Sequence, residues 1–141
     1  MKLNYQILIL LFILFHGSTS FASHAKQTSN IIYAEKINQD GSVQQLKLDL
    51  YEPTRNNQNK IVYLMHGGGF LEGDRGDFIE YSNYLVKQGF TVCNLDYRLI
   101  PETYHEQLTY DNYATSLVFA MDDLDSAIRH IHDNSDIYGL N

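Results

Sequence analysis

The most chemically loaded stretch of the chain is His66-Gly67-Gly68-Gly69-Phe70, which follows the apolar run Ile61–Met65 (IVYLM) without a break. Three successive glycines strip a length of backbone of its side chains. They also open positive φ to it, so consecutive N–H groups can turn the same way. At the end of a buried parallel strand, such a loop is a small concave donor site at the carboxyl edge of a sheet, where open α/β sheets bind ligands. Two anions suit it. One is the oxyanion of the tetrahedral intermediate in acyl transfer, where a single lost donor costs about 3 to 4 kcal/mol of transition-state stabilisation. The other is a phosphate group, but a phosphate loop carries a Lys followed by Ser or Thr, and neither stands in place here. A glycine-rich turn with no chemistry is the third reading.

The remaining polar candidates point away from catalysis. His130 and His132 lie two apart in a helical pattern and so face different ways, a poor metal pair. Asp122, Asp123 and Asp125 read as a solvated or loop-bracing helix face rather than a metal site. Ser82, Ser116 and Ser126 fall on helical segments, and His105 sits in an irregular stretch whose spacing assigns it no role. Cys93 is the single cysteine, so an internal disulfide framework is excluded, and its place in a strand reads as a small buried hydrophobe. No metal and no cofactor are implied.

The elements that must position the glycine loop are legible around it. Ile61–Met65 is a continuous apolar run, as expected for a parallel strand covered on both faces. Asp77 to Gln88 reads as a helix with Phe78, Tyr81 and Leu85 on one face and Gly89 as its C-terminal stop. Phe90 to Tyr97 is the next strand, which completes a right-handed βαβ unit. Upstream, Ile31–Ile37 and Val43–Tyr51 flank Asp40-Gly41 and predict a hairpin. Downstream, Tyr113, Leu117, Ala120, Met121, Leu124, Ala127, Ile128 and Ile131 recur at three- and four-residue steps, the pattern of a long amphipathic helix. Tyr138 to Asn141 reads as a turn towards a further strand.

The first residues read as a separate segment. Lys2, the apolar run Ile7–Phe15 and the small residues Ser20 and Ala22 make the signature of a secretory signal peptide spanning 1–22, with an uncleaved anchor as the alternative. That predicts a secreted or periplasmic protein with no stable membrane span after cleavage. The 44% apolar and 19% charged composition of the 141 residues is globular. A net charge of −7 repels phosphate backbones, so nucleic acid is not an expected partner.

Four blocks in order carry a family likeness: LDLYEP (Leu48 to Pro53), IVYLMHGGGF (Ile61 to Phe70), LVKQGFTVCNLDYRL (Leu85 to Leu99) and DDLDSAIRHIHDNSDIYGLN (Asp122 to Asn141). Together they resemble the α/β-hydrolase superfamily, in particular its secreted esterase/lipase, carboxylesterase-like branch. The resemblance implies an α/β fold, with residues 23–141 as the N-terminal part of a single domain. That part would be an incomplete three-layer αβα arrangement of about four strands and two main helices. It implies an oxyanion hole from the backbone of Gly67, Gly68 and Gly69, with Gly68 and Gly69 as principal donors. His66 would support the loop through its side chain without acting as a base. An acid near Asp123 would be structural, and Arg98 would brace the turn after Tyr97. The partner would be a small-molecule ester.

The family's G-x-S-x-G nucleophile turn does not occur in the chain and is expected just after Asn141, with the acid and catalytic His later still. No catalytic residue of the triad is therefore assigned here, and the chain reads as an ester hydrolase truncated before its nucleophile. A non-catalytic fragment or pseudoenzyme, or a binding module on the same sheet, are the alternatives. In the family's strand order the nucleophile strand lies beside Ile61–Met65. Without it that run becomes a sheet edge, which predicts self-association.

Overall fold

The computed structural model describes residues 25–140. The expected signal segment, 1–22, lies outside the described residues. Four strands, β1 (Ala25–Ile37), β2 (Val43–Pro53), β3 (Ile61–Met65) and β4 (Thr91–Leu95), form one mixed sheet in the order β1-β2-β4-β3. β1 pairs antiparallel with β2, β2 antiparallel with β4, and β3 parallel with β4. The helices are α1 (Ile79–Lys87), α2 (Tyr110–Asp133) and the single turn α3 (Ser135–Tyr138).

The hairpin forms where Asp40-Gly41 predicted it. Gly41 takes φ +83°, and the Asp40 carboxylate accepts from the Ser42 backbone N–H at 3.0 Å and from its hydroxyl at 2.6 Å. Period-two alternation then sorts the side chains into two cores. Leu46, Leu48 and Leu50 of β2 and Cys93 and Leu95 of β4 pack with Ala127 and Ile131 of α2. On the other side, Tyr51 of β2 and Val92 of β4 pack with Val86 of α1, with Leu64 of β3 and Leu85 against them. Helix, sheet and helix thus make the three expected layers. Each fully buried Leu, Ile or Val contributes roughly 1.5 to 3 kcal/mol.

Several boundaries and faces differ from expectation. β1 begins at Ala25 rather than Ile31, because the ladder to β2 continues through polar residues, past an irregularity between Thr28 and Ile31. The helix after the glycine loop starts later, and Arg75–Phe78 forms a 3-10 turn capped by the Asp74 side chain. Its inward positions are Ser82 and Val86, while Tyr81 is exposed. Ser82 is tolerated inside because its hydroxyl oxygen lies 2.8 Å from both the Phe78 carbonyl oxygen and Asn94 Oδ1, acceptors that share its one proton. The end of the chain takes a helical turn closed by Gly139 at φ +67°.

Candidate active site

β3 delivers His66 directly from its carboxyl end, and the chain then folds into a tight loop. Gly68, Gly69 and Phe70 have φ of +101°, +63° and +65°. Gly68 is obligatory on two counts, since a Cβ there would also collide with the Glu72 carbonyl oxygen. The Gly68 carbonyl accepts from Leu71 N–H at 3.1 Å, which closes the turn. Gly67, by contrast, has open space where a Cβ would stand. Among the described residues no acceptor takes the N–H of Gly68 or Gly69. They are donors without an internal partner.

Both ends of the loop are held by the segment that follows β4. The Tyr97 hydroxyl donates to the His66 carbonyl at 2.8 Å, and its ring stacks on the His66 imidazole with centroids 4.4 Å apart and planes 23° apart. Burial raises the Tyr97 pKa, so the hydroxyl stays protonated and remains a donor. At the far end, Ile100 N–H donates to the Phe70 carbonyl at 2.7 Å, and Phe70 sets its ring edge-on to Tyr97. His66 is buried, with Nδ1 2.9 Å from the Gly67 carbonyl, and Gly73 packs so closely that a Cβ would strike the imidazole. No acid approaches His66 among its described hydrogen bonds.

Between Tyr97 and Ile100 lies Arg98, buried and turned the other way, to α2. Its Nε lies 3.0 and 3.1 Å from the two carboxylate oxygens of the fully buried Asp123, which also accepts from the Arg98 backbone N–H at 2.9 Å. The guanidinium further reaches Asp122 at 2.7 Å and the Ile37 carbonyl at 2.9 Å, and lies 3.9 Å over the Phe119 ring. Asp123 and Arg98 therefore brace the fold, as the resemblance implied. Hydrogen bonds from Lys36 lead the causes that lower the Asp122 pKa. Asp125 pairs with Arg129.

A second arginine went unread in the sequence. Arg75 bonds Asp49 at 3.0 Å and Asn30 at 2.6 Å through its guanidinium, and pairs with Asp96. Its backbone carbonyl accepts from Asn94 Nδ2 at 3.1 Å. This network ties the return of the glycine loop to β2 and β4. Its partners are far apart in sequence, so no local spacing could have revealed it.

The loop opens on a cavity of about 340 Å³ lined by Met65, Phe70, Leu117, Ala120, Met121 and Leu124, together with His66, Gly67, Gly69 and Tyr97. Gly67 and Gly69 form its wall, while Gly68 turns against Glu72. The other candidates lie elsewhere. His105 Nε2 is 3.0 Å from the Ile100 carbonyl, and His130 Nε2 is 2.9 Å from the Tyr138 hydroxyl. His132 pairs with its neighbour Asp133. The Ser126 hydroxyl donates to the Asp122 carbonyl, and buried Ser116 accepts from Gln39. Burial raises the Cys93 thiol pKa, so the thiol stays protonated and inert. Among the described residues no His, Cys, Asp or Glu group is arranged to hold a metal, and no helix is long and apolar enough to cross a membrane.

Comparison with solved structures places this arrangement. A bacterial heroin esterase is 22% identical with a TM-score of 0.54, over 83% of this chain and 32% of that one. An arylesterase is 22% identical with a TM-score of 0.57, over 85% and 33%. Esterase B from Lactobacillus rhamnosis is 26% identical with a TM-score of 0.53, over 78% and 31%. The chain thus spans about a third of the length of these structures. A search of curated proteins returns no match. The sheet order, the glycine loop at the end of β3 and these likenesses define the N-terminal part of an α/β-hydrolase fold. Residues 48–141 match the BD-FAE family model, and the chain belongs to that family.

Proposed function

We propose that this chain is the oxyanion-forming part of a secreted or periplasmic carboxylic-ester hydrolase of the esterase/lipase kind. The observation that carries the reading is the pair of unpartnered N–H groups at Gly68 and Gly69, in a loop that opens on an apolar cavity. In the complete enzyme a serine hydroxyl would attack the ester carbonyl, and the proton would pass to a histidine. The carbonyl oxygen would become an oxyanion held by these N–H groups, and water would then release the acyl group. Nucleophile, base and acid are assigned to no residue of this sequence. The cavity's apolar wall favours an ester with an apolar group beside the carbonyl. His66 is read as the support of the loop and not as the base, because it is buried against Tyr97 and no carboxylate is among its described hydrogen-bond partners. The esterase structures of the same fold support this reading.

Two experiments test it. Reading the coding sequence beyond Asn141 should reveal a G-x-S-x-G block, and an in-frame stop there would favour a non-catalytic product. In the continuous polypeptide, Gly69→Pro removes one donor and also cannot keep the φ of +63° that the loop requires, so kcat should fall by at least about a hundred- to thousandfold. Gly67→Ala meets open space and should leave turnover within a few-fold of the parent. Equal activity in the two variants would remove the oxyanion assignment.

A further inference from the structure

We propose that Tyr97–Ile100 is a staple that fixes the glycine loop against α2, and that Tyr97 is the positioning residue through which it sets the oxyanion donors. The proposal rests on the reading of Gly67–Gly69 as an oxyanion hole. The reason a staple is needed lies in the loop itself. Three adjacent glycines have more backbone freedom than any other tripeptide, and donors act on a transition state only when they are already aimed. The freedom must be removed from outside, at both ends.

The structure shows how. Tyr97 and Ile100 reach the loop, and Arg98 between them reaches α2. At the start of the loop the Tyr97 hydroxyl holds the His66 carbonyl at 2.8 Å while its ring clamps the imidazole. At the finish Ile100 N–H holds the Phe70 carbonyl at 2.7 Å, and Phe70 is kept at φ +65°. Arg98 anchors the same segment to Asp123 and Phe119, one turn from Ala120 and Leu124 of the cavity wall. Three residues within four consecutive positions, Tyr97, Arg98 and Ile100, therefore hold the loop and the helix opposite it in one frame. The Tyr97 hydroxyl is 2.8 Å from a backbone carbonyl, not from the reacting atoms, so its effect passes through the loop.

The test is Tyr97→Phe in the continuous polypeptide, which keeps the ring and its stack and deletes one hydroxyl. kcat should fall about tenfold with KM unchanged, because a misaimed donor is felt chiefly when the oxyanion forms. Affinity for an aryl boronate, whose tetrahedral adduct mimics the oxyanion, should fall by the same factor. A cooperative melting transition close to that of the parent shows that folding is not the cause. Arg98→Lys, which loosens the other side of the staple, should lower kcat and boronate affinity in the same sense and serves if Tyr97→Phe does not fold. Unchanged kcat and boronate affinity, alongside a Gly69→Pro variant that has lost turnover, would overturn the staple and leave the oxyanion hole standing. A Gly69→Pro variant with full turnover would overturn both.

Discussion

Leu117 and Met121 in the first half of α2 are 53% and 66% exposed, whereas Ala127 and Ile131 in its second half are buried against the leucines of β2. All four fit the same helical periodicity. The difference lies in what stands opposite. The second half lies over the middle of the sheet, where Leu46, Leu48, Cys93 and Leu95 cover it. Opposite the first half stand the β1–β2 turn, where Gln39 bonds Ser116 and the Asn112 carbonyl, and the cavity beside the glycine loop, which Leu117 and Met121 line. Periodicity reports which positions share a face, and topology decides whether that face is covered. The buried Asp123 stands where the two halves meet.

The comparison is broken most severely at that junction. Asp123→Ala leaves Arg98 buried without its carboxylate and should cost about 3 to 5 kcal/mol, read as a shift in the urea midpoint. Next comes the contrast between the halves. Ile131→Ala opens a cavity in the covered core and should cost about 2 to 5 kcal/mol, whereas Met121→Ala should stay within about 0.5 kcal/mol. Equal losses would mean that the first half is covered too. A third prediction concerns association. The exposed face and the edge strand β3 should make the 141-residue chain self-associate, and Leu117→Lys with Met121→Glu should raise its monomer fraction in sedimentation without lowering its denaturation midpoint.

The smallest effect is a pH dependence at the covered end. Burial lowers the His130 pKa below its ordinary 6.5, against a smaller opposing effect of Asp133. The unfolded chain therefore takes up this proton more readily than the folded one. Stability from this site is highest above that ordinary value and falls as pH drops through it towards the folded pKa. His130→Gln should flatten this part of the stability profile, and an unchanged slope would remove His130 as its source.

How much of this was legible depended on the range of the interaction. The strand Ile61–Met65 and the loop after it were read at their residues, because a continuous apolar run ending in three glycines is a local signal. Arg98 and Asp123 entered through the family likeness and sit as it implied. Tyr97 could not be assigned a role, since its partner His66 is close only in the folded chain. The Arg75 network was missed for the same reason. The faces of α1 and α2 were misjudged where polar residues face inward, as Ser82 and Ser116 do, each with a hydrogen-bond partner supplied by another element.

The strand order also sets a timetable for synthesis. β1 and β2 are joined by a tight turn, and a hairpin closes in about 1 to 10 μs. β4 must then arrive between β2 and β3, pairing Leu48 with Leu95 and Val62 with Val92. At about 5 to 20 residues per second, the stretch from Pro53 to Leu95 takes on the order of seconds to emerge. Throughout that interval β2 offers a bare edge with Leu46, Leu48 and Leu50 uncovered beside it. The nascent chain is therefore most in need of a chaperone before β4 has been made, and the β2 edge is where such a chaperone would bind.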